Sequence, residues 1–222
     1  MPRIDWSTGV PVVLREEQST NLITYSEDAS QWEYIEYGAG SAGILELNQL
    51  DPSGTNKALK VTFPADAENA ALRFGEPYTS IEKKSSIYIK SLSGQVNVML
   101  RQGAQDSKII TINSEEFTRF QTNPSVNEEV LQIKAGSAIE ETSIYFTIVV
   151  SFPQVEPGTE ATSYIPTNGT TETRLADNIS VPTPAGVTSI TETIDGVEET
   201  PITTIPATYS LPVGNINKVK MQ

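Results

Sequence analysis

Three aromatic residues that lie close together in the sequence are the clearest candidates for binding chemistry. Trp32, Tyr34 and Tyr37 form the densest aromatic group of the chain. Sugar rings stack on exposed aromatic faces through their axial C–H groups, while nearby Asn, Gln and carboxylate groups bond the hydroxyls. Asn97 and Arg101 lie on a predicted strand that would form a concave face. These residue types predict a carbohydrate-binding surface, with the alternative that Trp32 and the two tyrosines belong to the core.

Acidic residues near the two ends of the chain are candidates for a calcium site. Calcium binds oxygen ligands, and the principal candidates are Glu17 and Glu156. The first and last strands of a sandwich are often neighbours, which would add Asn21, Glu27 and Asp28. No loop has the acidic spacing of an EF-hand, and the two glutamates would equally cap strand ends or pair with arginines. We expect no cofactor, with Ca²⁺ as the one metal that the composition still permits.

The composition excludes several kinds of catalytic centre. The chain of 222 residues contains no Cys and no His, which excludes disulfides, thiolate or imidazole metal sites and a Ser-His-Asp triad. Three acidic pairs, Glu115–Glu116, Glu128–Glu129 and Glu140–Glu141, lie in predicted loops. None has a local spacing that brings two carboxylates across a glycosidic bond. We therefore expect that the protein is not an enzyme.

The charge of the chain restricts its partners. The formal net charge of −13 repels both a nucleic-acid backbone and an anionic membrane, so neither is expected as a partner. The first residues lack the apolar core of a signal peptide, and no long uncharged apolar run occurs. We therefore expect synthesis in the cytoplasm.

Short strand signals recur along the chain and would position the aromatic group. Residues Gln31–Tyr37 alternate, which places Trp32 and Tyr34 on one face and Ile35 and Tyr37 on the other. The absence of any convincing helical period predicts an antiparallel β-sandwich. The remaining strands are predicted at 44–47, 57–63, 70–74, 85–90, 95–101, 108–112, 118–122, 130–134 and 143–152.

Two further predictions concern how the strands are connected. The runs 85–90, 95–101 and 108–112 predict a meander of neighbouring strands. The run 143–152 is the most apolar and predicts the last central strand. Proline cannot donate a ladder hydrogen bond, so the chain is expected to leave the sheet at Pro153 and to continue as a surface strap.

The two ends of the chain differ in composition from the middle. Residues 1–14 predict an extended arm in which Trp6 is available for docking, and residues 15–177 predict the sandwich. Residues 178–222 are rich in Thr, Pro, Val and Ile and predict a C-terminal β-extension. Within it, Asp195-Gly196 predicts a type I′ hairpin, and a second strand pair is expected around Pro212–Asn215. A segment of this kind is only marginally stable alone, so we expect it to pack on another surface.

Two phrases of the sequence resemble a module of bacteriophage tail-fibre and other virion proteins. The opening phrase is Val13-Leu-Arg-Glu-Glu-Gln-Ser-Thr-Asn-Leu-Ile-Thr-Tyr-Ser-Glu27, followed by Trp32. The closing phrase is Gln154-Val-Glu-Pro-Gly-Thr-Glu-Ala-Thr-Ser-Tyr-Ile-Pro-Thr167, followed by Thr173-Arg-Leu-Ala-Asp177. Modules of this kind resemble carbohydrate-binding jelly rolls, so the resemblance implies jelly-roll topology for the sandwich. The Thr-rich ending with Ile205-Pro-Ala-Thr-Tyr209 is similar to endings in structural proteins of phages that infect Bacteroidota.

The resemblance implies a function as well as a fold. It implies a non-enzymatic virion protein, part of a tail fibre or head fibre, whose sandwich binds a glycan or receptor during host recognition. The alternative is a capsid or tail decoration protein whose sandwich is purely architectural. A Pro-Arg-Ile-Asp phrase links such modules to an upstream domain, and here it stands at the start of the sequence, so we expect a module without an upstream stalk. The expected partners are other virion proteins, host surface polysaccharide and further copies of the chain, as in a homotrimer.

Overall fold

The computed structural model describes residues 11–103 and 107–222, together with the backbone of residues 3–5. Among these residues one short 3-10 turn, Ala29–Gln31, accompanies the strands, and no helix is long and apolar enough to cross a membrane. The strands are β1 (Arg3–Asp5), β2 (Val12–Arg15), β3 (Ser19–Asn21), β4 (Glu33–Glu36), β5 (Ile44–Gln49), β6 (Ala58–Phe63), β7 (Ala70–Phe74), β8 (Lys83–Ser91), β9 (Val96–Arg101), β10 (Lys108–Ile112), β11 (Thr118–Gln121), β12 (Leu131–Ala135), β13 (Phe146–Pro157), β14 (Glu172–Arg174), β15 (Ser180–Pro182), β16 (Ile190–Ile194), β17 (Val197–Glu198), β18 (Thr208–Ser210) and β19 (Gly214–Met221).

The strands belong to two compact units. The larger unit comprises Thr20–Thr173, and the smaller unit comprises the residues up to Ser19 together with Arg174–Gln222. The predicted limits of the sandwich, 15 and 177, lie a few residues outside those of the larger unit. Residues 11–14 of the predicted arm share the smaller unit with the C-terminal segment, and β2 pairs with β19. Trp6, the predicted docking residue of the arm, lies outside the described residues.

The larger unit is an antiparallel jelly-roll sandwich, as predicted. The first sheet has the strand order β10-β9-β12-β7-β4, and the second sheet has the order β11-β8-β13-β6-β5. The pairs β6–β13, β7–β12, β8–β11 and β9–β10 are nested in sequence and alternate between the two sheets. This nesting is the strand order of a hairpin rolled into two sheets, which defines the jelly roll. The strands β4 and β5 each extend one sheet at its edge.

Apolar side chains from the inner faces of both sheets form the core. Alternation directs every second residue of each strand inward, so Val96, Val98 and Leu100 of β9 are buried. Aromatic rings join the layers, with Phe63 stacked on Phe146 at 4.8 Å between centroids. Because the core is continuous, the outer faces of the sheets are free to carry polar groups.

Two predicted connections of the sandwich are wrong. The strands β8, β9 and β10 do not form a meander, because β8 lies in the second sheet and only β9 and β10 pair. The chain also does not leave the sheet at Pro153, since β13 continues to Pro157. The ladder with β8 is interrupted between Ser151 and Gln154, where Phe152 has a φ of 53°. Pro153 lies in this interruption, so its missing N–H removes no ladder bond.

The smaller unit contains a sheet of its own with the order β1-β2-β19-β16-β17. Asp195 and Gly196 both have positive φ, 50° and 84°, between β16 and β17, which confirms the type I′ hairpin. The second predicted strand pair is wrong, because β18 pairs with β15 and β19 pairs with β16 and β2. Turn residues separate β18 from β19, but the two strands do not pair with each other, and each pairs with other strands of the smaller unit.

Candidate functional site

The outer face of the first sheet carries a groove of about 510 Å³. Neighbouring strands bring polar residues into one row, because Gln132 of β12 is opposite Arg101 of β9 on one side and Arg73 of β7 on the other. Glu33 of β4 continues the row beside Arg73. We call this site the groove, and its lining residues are Tyr37, Asn69, Arg73, Pro77, Arg101, Glu128, Glu129, Val130, Gln132 and Lys134.

Tyr37 and Lys134 form the aromatic and cationic centre of the groove. Tyr37 follows β4, its N–H donates to the carbonyl of Asn69, and its side chain is 52% exposed. Lys134 of β12 places Nζ 5.2 Å from the centroid of the Tyr37 ring, close enough for a cation–π interaction. Burial holds the pKa of Lys134 below its ordinary value, and nearby Arg101 lowers it further, whereas Glu129 raises it. The ammonium group therefore lies in a place that favours an anion.

Two ion pairs hold the arginines of the groove. Arg73 lies 3.2 Å from a carboxylate oxygen of Glu33, and Arg101 lies 2.8 Å from a carboxylate oxygen of Glu129. Each pair uses a terminal guanidinium nitrogen, so the planar fork retains further donors. The pairs fix the orientation of both guanidinium groups at the groove.

Several buried polar atoms at the groove have no hydrogen-bond partner in the chain. They are Arg73 Nε, Arg101 Nε, Asn69 Oδ1 and Gln132 Oε1. Gln132 itself is only 6% exposed. A buried polar atom without a partner costs about 1–3 kcal/mol, and these atoms meet a ligand only if neighbouring side chains move. The groups that a ligand meets directly are the exposed ring of Tyr37 and the partly exposed side chains of Arg73 and Arg101, which suit the face and hydroxyls of a sugar.

Two of the predicted aromatic residues are not on this surface. Trp32 is 5% exposed, packs edge-on against Phe74 at 5.2 Å and donates its indole N–H to the carbonyl of Tyr25 at 2.8 Å. It is a core residue, as the alternative interpretation placed it. The alternation of β4 directs Tyr34 to the same inner side, where its ring lies 5.7 Å from Phe63.

The environment of Tyr34 confirms that its hydroxyl is withdrawn from solvent. Burial, with the charges of Glu36 and Asp66, raises the pKa of Tyr34 to about 12. A Cβ at Gly43 would lie 2.4 Å from the Tyr34 ring, so a glycine is needed where the loop before β5 crosses it. Tyr34 is therefore removed from the candidate surface for the same reason as Trp32.

The remaining predicted polar residues differ in position. Arg101 lines the groove together with Tyr37. Asn97 lies on the same outer face of β9, but its side-chain oxygen accepts a 2.8 Å hydrogen bond from the Thr111 hydroxyl. Its backbone N–H donates to the hydroxyl of Ser143. Asn97 is thus held by its neighbours and does not line the groove.

The two principal calcium candidates belong to different units. Glu17 belongs to the smaller unit and Glu156 to the larger. The carboxylate of Glu156 is fully buried and accepts hydrogen bonds from Gln154 Nε2 at 2.6 Å and from the N–H and hydroxyl of Thr162. Glu27 pairs with Lys57 at 2.7 Å. Within residues 11–103 and 107–222, no group of three acidic side chains is placed to hold a metal ion.

Apart from the acidic pair Glu128–Glu129, four polar lining residues were not predicted from the sequence. They are Asn69, Arg73, Gln132 and Lys134. Alternation already places Gln132 and Lys134 on one face of β12, opposite the buried Leu131 and Ile133. The missing information was that β12 lies between β7 and β9, which is a consequence of jelly-roll topology.

Comparison with known proteins finds only distant structural similarity. No protein-family model matches the chain, and no curated protein matches its sequence. Among solved structures, the family 11 carbohydrate-binding module of the cellulase Lic26A-Cel5E of Clostridium thermocellum has a TM-score of 0.43 and 11% identity, over 65% of this chain and 96% of the module. The CBM22-1 xylan-binding domain of Paenibacillus barcinonensis Xyn10C has a TM-score of 0.37 and 13% identity, over 67% and 99%. Because these values are low, no property of those modules is transferred to this chain.

Proposed function

We propose that the protein is a non-enzymatic bacteriophage virion protein that binds polysaccharide in the groove of its jelly-roll unit. The observation that carries the binding proposal is the exposed ring of Tyr37 in one groove with Arg73, Arg101 and Lys134. The resemblance of the opening and closing phrases to tail-fibre modules supports the virion assignment. Host surface polysaccharide is the proposed ligand, and a tail or head fibre is the proposed location.

The proposal agrees with how sugar-binding sites obtain affinity. One aromatic face and a few hydrogen bonds give weak binding for each sugar unit, and several copies acting together raise the overall affinity by orders of magnitude. A multimeric fibre, such as a homotrimer, would provide these copies. The groove is open, so a long polymer can lie across it without threading an end.

The test compares two exposed tyrosines of the larger unit. Binding of the full chain to immobilised polysaccharides and to extracted host surface polysaccharide is measured for wild type, Tyr37→Ala and Tyr145→Ala. Tyr145 is 69% exposed but does not line the groove, so it is the matched control. We expect Tyr37→Ala to weaken binding at least tenfold, about 1.4 kcal/mol, and Tyr145→Ala to leave it unchanged.

Several results would contradict this proposal. Absence of binding to every polysaccharide at high protein density would reject glycan recognition. Equal binding by wild type and a folded Tyr37→Ala variant would move the site away from the groove. Unfolding curves of both variants establish that each retains the sandwich.

The second candidate function is a decoration protein with a purely architectural sandwich. The smaller unit favours it, because this unit has its own open groove of about 450 Å³. That groove is lined mainly by apolar side chains, including Val181, Leu211 and Met221. Under this function, Leu211→Asp would abolish incorporation into particles while Tyr37→Ala would have no effect on infection. Loss of host adsorption in Tyr37→Ala particles that incorporate the protein normally would reject it.

A further inference from the structure

The groove brings three cations together in a strongly acidic protein. Arg73, Arg101 and Lys134 line it beside two carboxylates, Glu128 and Glu129, in a chain of formal net charge −13. Glu33 and Glu129 pair with the two arginines. In the part of the chain that the structure describes, no carboxylate lies within ion-pair distance of Lys134. Of the three cations, Lys134 therefore lacks an ion-pair partner among the described residues, and Glu129 acts on it only from a longer distance.

The position of Lys134 makes this missing ion-pair partner significant. The residue is only 7% exposed, and its Nζ lies 5.2 Å from the centroid of the Tyr37 ring. A largely buried cation interacts more strongly with a nearby anion than a cation in water does, because the local dielectric constant is lower. The cost of burial is offset only when an anion with good geometry is present. A bound carboxylate at Nζ would supply that anion.

The arginines point to the same ligand chemistry. Each uses one terminal nitrogen for its ion pair, Nη1 of Arg73 and Nη2 of Arg101, and each side chain remains partly exposed. Both arginines are cross-strand neighbours of Gln132, so their backbones lie about 10 Å apart, or two strand spacings. Lys134 is about 7 Å from Gln132 along the same face of β12. Guanidinium and ammonium donors at these spacings can bond the carboxylate and hydroxyls of neighbouring sugar units.

We infer that the groove takes an acidic glycan, with a uronic acid carboxylate at Lys134 and the sugar ring on Tyr37. This inference rests on the proposed function and specifies its ligand. A neutral sugar would stack on Tyr37 but would leave the ammonium group of Lys134 without an ion-pair partner. A carboxylated sugar satisfies both.

The overall charge of the protein makes the recognition local. A chain of net charge −13 repels an acidic polymer at long range. At physiological ionic strength this repulsion is screened beyond about 8 Å, whereas charges in contact within the groove are screened much less. Binding to a polyanion is therefore due to the groove and not to general attraction.

The experiment uses matched polymers and matched lysines. The full chain is tested against alginate, polygalacturonate and hyaluronate, each intact and after chemical reduction of its carboxyl groups to neutral alcohols. Lys134→Met is compared with Lys90→Met, because Lys90 lies over the ring of Phe117 at 4.8 Å on the second sheet. We expect at least one intact polymer to bind, with a loss of at least tenfold after carboxyl reduction. The same loss is expected in Lys134→Met, and less than twofold in Lys90→Met.

The other outcomes separate this inference from the function on which it rests. Equal, Tyr37-dependent binding of intact and reduced polymers would overturn the acidic ligand and leave glycan binding in place. Unchanged binding by Lys134→Met and by a second variant, Lys134→Gln, would also overturn it. A preference for dextran sulfate over every carboxylated polymer would overturn the uronic acid assignment. Binding of no polymer would reject both proposals.

Discussion

The two outer faces of the sandwich differ in what covers them. On the second sheet, Arg119 donates to the Thr162 carbonyl at 2.6 Å and to the Ser86 hydroxyl at 2.7 Å, so the strap after β13 lies against this face. On the first sheet, no described segment crosses the groove, and Tyr37 remains 52% exposed. Polar and aromatic side chains occur on both faces. On the second sheet they hold the strap, whereas among the described residues those of the groove hold no crossing segment. This difference identifies which face is available to a ligand.

The covered face is held by aromatic and polar contacts. Phe152 stacks on Tyr164 of the strap at 4.4 Å and packs edge-on against Tyr88 at 6.2 Å. Asn21 donates to the carbonyl of Ile165 at 2.9 Å. Its side-chain oxygen accepts from the N–H of Val155 at 3.2 Å. The strap is therefore part of the folded unit, and its contacts are expected to contribute stability.

The largest predicted effect is on the ring stack of the covered face. Phe152→Ala should lower the free energy of unfolding by about 3–5 kcal/mol, because it removes a buried ring and its stacking partner. Tyr37→Ala on the open face should change it by less than about 0.5 kcal/mol. Urea unfolding followed by Trp32 fluorescence in a Trp6→Phe background measures both. A loss below 1 kcal/mol for Phe152→Ala would show that the strap is not held by this stack.

The next effect compares Asn21 on the covered face with Asn69 on the open face. Asn21→Ala should cost about 2 kcal/mol, since it leaves the buried N–H groups of Ile23 and Val155 without their acceptor. Asn69→Ala should cost less than about 0.5 kcal/mol, because Asn69 Oδ1 has no partner to lose. The midpoints of urea unfolding at constant slope give both values. Equal costs would remove the distinction between the two faces.

The smallest effect is a gain in stability. Lys134→Met should raise the melting temperature by a few degrees at neutral pH, because it removes a buried cation from the groove. Lys90→Met should change it less, because Lys90 is only half-buried. Lower stability of Lys134→Met at neutral pH would mean that Lys134 supports the fold.

The same variant makes a prediction about pH. Burial lowers the pKa of Lys134 in the folded state, so between the folded and unfolded pKa values the unfolded chain binds more protons. Folding then becomes more favourable as pH rises through this range. The gain from Lys134→Met should be full below the folded pKa and disappear above the ordinary value of 10.5. Melting temperatures from pH 7 to 11 test this trend.

The sequence predicted most strands of the sandwich and the separation of Tyr37 from Trp32 and Tyr34, but not the composition of the groove. Alternation is a local property, so Gln31–Tyr37 correctly separated Tyr37 from Trp32 and Tyr34. The neighbours of a strand depend on packing across the whole sandwich, so Arg73 and Lys134 could not be joined to Tyr37 by spacing alone. The bulge at Phe152 was missed because a proline usually marks the end of a strand, whereas here it occupies the interruption.

The division of the chain into two units also determines an order of assembly. The sheet of the smaller unit pairs β2 with β19, whose residues lie on opposite sides of the sandwich in the sequence. During translation β2 therefore has only β1 as a neighbouring strand until the sandwich and β19 have been made. Folding of the sandwich brings its own limits together, with the hydroxyls of Thr20 and Thr173 2.8 Å apart, and so closes the long loop between the two strands beforehand. Because β19 lies between β2 and β16 in the sheet order, the five strands of the smaller sheet join only after β19 has been added.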